Sequence, residues 1–191
     1  MSSTKEIIQE GGASLPEELL HKTNETFGVE ISEGYGLTES TVMLITTPRN
    51  QEKKLNAVGV PLAGVDLKVV NAEGNDVQPH EVGEIIFRGP NMMKGYYKKP
   101  EETENTIKDG WLYTGDLAYK DEDGYHFIVD RKKDMIIRGG FNVYPREIEE
   151  VLFLHPGIIE CSVIGRPDSV FGEKIFEETA AISRFSSYKK M

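Results

Sequence analysis

The sequence predicts an α/β segment joined to α+β structure: one end of a parallel sheet, a small antiparallel β subdomain, and a smaller α+β unit. Three observations point there. Residues 5 to 40 read strand, helix, strand, loop, a βαβ rhythm that implies parallel pairing. Residues 58 to 130 hold five short apolar runs separated by turn signals, the pattern of antiparallel β structure. Beyond residue 130 a strand, a helix and two more strands set a third rhythm. The expected organisation is 1–50, 51–130 and 131–191, with the last boundary at Arg131 to Asp134.

The elements follow in order. "KEIIQ" reads as a strand and "EGGAS" as a turn. Ser14 and Glu17 form a capping box, and Pro16 sits in the first turn, where its missing N–H costs little. Leu15, Leu19 and Leu20 start an amphipathic helix expected to end near Gly28. "VEIS" is a strand and "EGYGLTES" the loop after it. "VGVPLAG", "VDLKVVN", "GEIIFRG", "WLYTGDLAY" and "YHFIVD" are strands, divided by "NAEGND", "PNMMKG", "KDG" and "DEDG". Pro100 opens a short helix in "PEETENTI", and Pro145 opens another in "PREIEEVLFLH", with Glu147, Glu149 and Glu150 in its early turns. Ile148, Val151, Leu152 and His155 are expected to share that helix's face. "IIECSVIG" and "KIFEETAAIS" are strands.

Composition narrows the partners. A net charge of -10 with no acidic tail argues against nucleic acid or an anionic membrane as the main partner. Cys161 is the single cysteine, so no intrachain disulfide forms, and a reducing cytoplasmic setting is expected. No apolar run approaches the ~20 residues that span a bilayer, and the start lacks the pattern of a signal peptide. His21, His80, His126 and His155 are isolated and expected at the surface or at helix ends. Cys161, in an apolar strand, is expected to be an inert core thiol.

Three stretches carry possible chemistry. In "YGLTES", Gly34 and Gly36 allow close backbone approach, Tyr35 offers a stacking face, and Thr38 and Glu39 set a hydroxyl beside a carboxylate, suited to a phosphate with Mg²⁺. The same residues also suit a glycine-rich surface turn capped by Thr or Ser. In "YTGDLA", Asp116 could accept two ribose hydroxyls, or simply form an Asx turn. In "RKKDMIIRGG", Arg131, Lys132 and Lys133 read either as a solvated charged turn or as a hinge. Gly139 and Gly140 suit a place where a ligand or another backbone comes close. No Walker loop, nucleophile elbow, C-x-x-C or H-E-x-x-H is present.

In order, "EGYGLTES", "GWLYTGDLAYKDEDGYHFIVDRKKDMIIRGGFNVYPREIEEVL" and "VIGRPDSVFGEK" resemble the AMP-forming acyl-CoA ligases of the adenylate-forming superfamily, which includes firefly luciferase and peptide-synthetase adenylation domains. The resemblance runs from about Gly11 to about Ile182, and "GGFNVYPREIEEVL" resembles the branch acting on medium- or long-chain fatty acids. It implies the C-terminal part of a large lobe, a hinge, and a truncated small lobe. It also implies two steps, adenylation of a carboxylate by ATP and transfer of the acyl group to coenzyme A.

By the same resemblance Tyr35 stacks on adenine between Gly34 and Gly36, with Gly12 and Ala13 beside the adenine and acyl group. Thr38 contacts phosphate, Glu39 binds Mg²⁺, and Asp116 takes the ribose hydroxyls. Arg131 holds ribose or phosphate, Lys133 is the hinge pivot, and Gly139 and Gly140 leave room for the pantetheine arm. The family's Pro-Lys-Gly phosphate loop is not in the sequence, and Lys189 and Lys190 lack the setting of its adenylation lysine. The expectation is therefore a fragment holding half a nucleotide site, inactive alone. An aryl-CoA ligase is the alternative within the superfamily, and a non-catalytic nucleotide-binding or interaction module is the alternative outside it.

Overall fold

The structure, a computed structural model, describes residues 7–10, 22–23, 25–28, 30–41, 43–48 and 53–181. The capping box at Ser14 and Glu17, the helix start at Leu15 to Leu20, His21, Gly12 and Ala13 lie outside the described residues. The chain divides into two compact units, Met1–Ile128 and Val129–Met191.

In the first unit, β1 (Ile7–Glu10) pairs in parallel with β2 (Glu30–Tyr35), as the βαβ rhythm implies. The helical residues before β2 stop at Gly28, whose φ of +64° suits the end of a helix and a residue without Cβ. β2 continues antiparallel to β3 (Ile45–Thr46), and β3 to β4 (Val60–Pro61). The strand runs through Tyr35, so the first three residues of the expected loop "EGYGLTES" are extended backbone.

The antiparallel subdomain contains β5 (Asp66–Val70), β6 (Gly83–Arg88), β7 (Ile107–Lys108), β8 (Trp111–Lys120) and β9 (His126–Arg131). The order is β5-β6-β8-β7, with β9 also on β8. Its turns use the residues that the sequence singled out. Asn71 Oδ1 accepts from the amides of Glu73 and Asn75, while Asp109 and Gly110, at φ +51° and +78°, join β7 to β8 in a two-residue hairpin. Helix α1 (Pro100–Thr106) begins at Pro100, as expected. Leu44, Ile45, Val58, Phe87 and Leu112 form a buried core, and Tyr35, Leu37, Met92 and Met93 pack against it. The turn after β2 therefore sits on a packed base.

His126 departs from expectation. Its isolation in the sequence suggested a surface or helix-end residue, yet it is 4% exposed. Its amide donates to Gly59 O and its carbonyl accepts from Val58 N, so backbone pairing carries the ring inward. Burial pushes the imidazole below its ordinary pKa. Nearby, the Lys54 ammonium donates to Asp121 and Asp123 and lies over the Tyr125 ring. Burial pushes the Asp121 carboxyl up, but Lys54 and the amides of Tyr125 and Asp123 together hold it below the usual range.

The described residues of the second unit form a four-stranded sheet ordered β11-β10-β13-β12, with one helix. It comprises β10 (Ile136–Arg138), β11 (Phe141–Val143), α2 (Pro145–Phe153), β12 (Ile158–Asp168) and β13 (Gly172–Ala181). The expected helix face is corrected. Ile148 and Leu152 are half-buried, but Val151 and His155 are exposed, and Glu149 and Phe153 lie on the covered side instead. The cause is a polar contact: Glu149 Oε1 accepts from Val163 N at 2.8 Å, which turns that side of α2 toward β12. The Cys161 thiol is half-buried beside Glu149 O, and burial, then the Glu149 charge, pushes its pKa up, so it is poorly nucleophilic.

Candidate functional site

The site builds from the end of β2. Tyr35 is the last residue of the strand, and its carbonyl accepts from Leu44 N at 2.8 Å, which closes the loop back onto the core. Thr38–Ser40 then form one short 3₁₀ turn. Ser40, 1% exposed, donates its hydroxyl to Leu37 O and accepts from Leu37 N. Ser40 thus ties the turn, as the capped-turn reading of "YGLTES" expects, while Thr38 is exposed and Glu39 is half-buried.

Asp116 reaches the same place from β8. Glu84 of β6 faces Leu117 and Ile86 faces Tyr113, so Thr114, Gly115 and Asp116 together oppose one residue. This is a bulge, and Gly115 sits in it at φ +77°, a conformation that favours glycine. Glu84 Oε1 accepts from Gly115 N, and the Thr114 hydroxyl donates to Ile85 O and accepts from Asp116 N. The threonine hydroxyl thus supplies a local bond to the Asp116 amide. The bulge aims the Asp116 side chain at β2, where the Tyr35 hydroxyl donates to Asp116 Oδ2 at 2.6 Å. Two motifs 81 residues apart are thereby joined by one charge-assisted bond.

Glu39 has a partner that the sequence reading missed. The Tyr96 hydroxyl donates to Glu39 Oε1 at 2.7 Å, and Met93 N donates to Glu39 O at 2.8 Å. The Glu39 bond, then burial, raises the Tyr96 phenol above its ordinary pKa. "PNMMKGYY" reads only as a turn with apolar residues, so nothing in its pattern announces this bond.

In the second unit the basic run lies in a turn. Asp134 N and Met135 N both donate to Arg131 O, and Arg131, Lys132 and Lys133 are exposed. Asp130 accepts from the amides of Arg131 and Arg146, which ties this turn to the start of α2. Gly139 and Gly140, at φ +60° and +85°, form the two-residue hairpin turn between β10 and β11. Gly139 N also donates to Phe171 O at 2.8 Å. The positive φ of both residues calls for glycine, and among the described residues nothing lies within 4 Å of a Cβ built on Gly140.

A half-buried tyrosine, a carboxylate on a bulge, and a hydroxyl and carboxylate on a tight turn stand at one end of the β2 strand. In open α/β sheets the carboxyl ends of parallel strands are where ligands bind. Comparison with known proteins gives the family. The model of the AMP-binding enzyme family matches residues 1–97, and the chain belongs to that family. It is 44% identical over 176 residues to the long-chain-fatty-acid–CoA ligase of Bacillus subtilis (strain 168), covering 92% of this chain and 31% of that protein. It is 43% identical over 164 residues to feruloyl-CoA synthase of Amycolatopsis sp, covering 85% and 33%. Among solved structures, ATP-bound MatB from Rhodopseudomonas palustris matches with TM-score 0.87 and 36% identity, over 92% of this chain and 35% of that one. O-succinylbenzoate coenzyme A synthetase from Bacillus subtilis, in complex with ATP and magnesium ion, matches with TM-score 0.82 and 36% identity, over 92% and 36%. The fold is that of the C-terminal part of adenylate-forming enzymes. The chain spans about a third of the length of these relatives.

Among the described residues no group of three or more His, Cys, Asp or Glu side chains could hold a metal, and no helix is long and apolar enough to cross a membrane.

Proposed function

We propose that the chain supplies part of the nucleotide site of an AMP-forming fatty-acid–CoA ligase of the cytoplasm. The observation that carries this reading is the Tyr35–Asp116 bond, which gathers a stacking ring and a ribose-type acceptor beside the Thr38–Glu39 turn. In the first step a fatty-acid carboxylate oxygen attacks the α-phosphorus of ATP. The new P–O bond forms as the bond to pyrophosphate breaks. In the second step the sulfur of coenzyme A attacks the acyl carbon; AMP leaves with the C–O electron pair, and the thiol proton goes to solvent. Tyr35 stacks on adenine, with Gly34 and Gly36 lining its edge. Asp116 accepts the ribose hydroxyls, and Thr38 donates to phosphate.

Mg²⁺ suits Glu39 in one way only. A lone carboxylate fits an ion that takes its other ligands from phosphates and water. The ion supplies neutralisation of phosphate charge. Gly12 and Ala13 belong beside the adenine in this reading. Arg131 holds ribose or phosphate, Lys133 is the pivot about which the second part, 131–191, turns between the steps, and Gly139 and Gly140 flank the pantetheine arm. The organisation 1–50, 51–130 and 131–191 follows from it.

A long-chain acid is favoured by the Bacillus subtilis relative. An aromatic acid is the second reading, favoured by the feruloyl-CoA synthase match at nearly the same identity. Hydroxylamine trapping with ATP and a fatty acid tests the division of labour. The 191 residues are expected to give no turnover alone, because losing one electrostatic donor already costs ~10²–10³ in rate. Clear turnover refutes the idea that the chain holds only part of the site.

A further inference from the structure

The segment from Gly89 to Tyr96 braces the Thr38–Ser40 turn at several points. Asn91 Nδ2 donates to Ser40 O at 3.1 Å and to Met43 O at 3.3 Å. The Thr41 hydroxyl donates to Asn91 O at 3.0 Å, and Met93 N to Glu39 O at 2.8 Å. Apart from the Thr41 hydroxyl, these bonds hold backbone of the turn. Tyr96 instead holds the Glu39 side chain, through its 2.7 Å bond to Oε1.

Tyr96 is itself anchored. Its amide donates to Thr103 Oγ1 of α1 at 2.9 Å, and the preceding Gly95 packs so closely that a Cβ there would stand 2.8 Å from Thr103 Cγ2. The phenol therefore projects from a fixed base toward a carboxylate on a second fixed turn. A carboxylate with one oxygen held by a neutral donor loses most of its freedom to rotate. Its second oxygen then points in one direction.

We propose that Tyr96 is a positioning residue for Glu39: its hydroxyl fixes the carboxylate so that Oε2 is presented to a divalent cation carried by a nucleotide. The inference rests on the reading of Glu39 as the cation-facing residue given above. It assigns to "GYY" a role in metal·nucleotide affinity, where the segment otherwise has only a packing role.

The test measures binding of Mn²⁺·ATP to the full chain by electron paramagnetic resonance, for wild type, Tyr96→Phe and Glu39→Gln, alongside ATP binding in EDTA. Loss of one hydrogen bond to a charged group weakens Mn²⁺·ATP binding about tenfold in Tyr96→Phe. ATP binding in EDTA stays at the wild-type level. Glu39→Gln loses the Mn²⁺-dependent part altogether. If Glu39→Gln is impaired and Tyr96→Phe is not, the positioning role is overturned while the Glu39 reading stands. Equal weakening of Tyr96→Phe with and without metal makes Tyr96 merely structural and also overturns it. If Glu39→Gln binds Mn²⁺·ATP like wild type, or wild type adds nothing to free Mn²⁺·ATP, the Glu39 reading itself fails and the inference falls with it.

Discussion

Replacing Tyr35 by phenylalanine removes one oxygen and keeps the ring. That oxygen donates to Asp116 Oδ2 at 2.6 Å. A hydrogen bond to a charged group contributes about 1.5–3 kcal/mol, and both partners here are half-buried, so the lower end, about 1.5 kcal/mol, applies. For a unit of this size that corresponds to a fall of roughly 5 °C in melting temperature. The molecule carries its own probe. Trp111 is its one tryptophan and lies on β8, the strand that bears Asp116, with Lys68 Nζ at 5.3 Å and the Arg88 guanidinium at 4.7 Å from its ring. Its fluorescence therefore follows the sheet of the first unit rather than the second.

A thermodynamic cycle of Tyr35→Phe, Asp116→Ala and the double variant isolates the pair. The expected coupling is about 1.5 kcal/mol, with the double variant little worse than Asp116→Ala. Additive losses, or a coupling indistinguishable from zero, would show that the two side chains do not share a bond and that the bulge does not deliver Asp116 to the nucleotide site.

Other outcomes are equally specific. In a full-length enzyme carrying this segment, Asp116→Ala raises the ATP Michaelis constant by about tenfold or more, read from steady-state kinetics, since two ribose hydroxyls lose a charged acceptor. His126 is buried with its pKa held low, and its Nδ1 has no partner among the described residues. Below the ordinary histidine pKa the unfolded chain therefore binds a proton that the folded chain refuses. Stability is full at pH 7 and falls as pH drops through about 6.5, by at most ~1.4 kcal/mol per pH unit; His126→Gln flattens that slope in Trp111-detected melts at pH 7 and 5.5. Gly59 has φ +107°, and a Cβ there would stand 2.2 Å from Thr46 C, a backbone atom that has no room to yield. Gly59→Ala accordingly costs several kcal/mol, of order 3 or more, and lowers the Trp111 melt by at least ~10 °C.

The fold was legible where local chemistry and long-range pairing agree. "DG" at Asp109–Gly110 ends as a two-residue hairpin turn, and Pro100 and Pro145 both open helices. What stayed hidden depends on partners distant in sequence. His126 looks like any exposed histidine until Gly59, far upstream, pairs with its backbone and draws it inward. The face of α2 follows from Glu149 reaching β12, a polar contact that apolar periodicity does not encode. At the site, the motifs around Tyr35, Glu39 and Asp116 could be picked out by residue type, but their mutual arrangement could not. It is set by a bulge at Gly115, where the Thr114 hydroxyl accepts from the Asp116 amide. Tyr96 left no trace in the pattern, because a tyrosine after glycine is ordinary in a turn.

The central claim is that adenylate binds where β2 meets the β8 bulge. Backbone amide NMR of the 191-residue chain titrated with AMP reads this directly. The account predicts shifts concentrated at Gly34 to Glu39 and at Gly115 and Asp116, abolished by Asp116→Ala. Amides in those two stretches that stay unmoved at saturating AMP, or that move equally in Asp116→Ala, would contradict it.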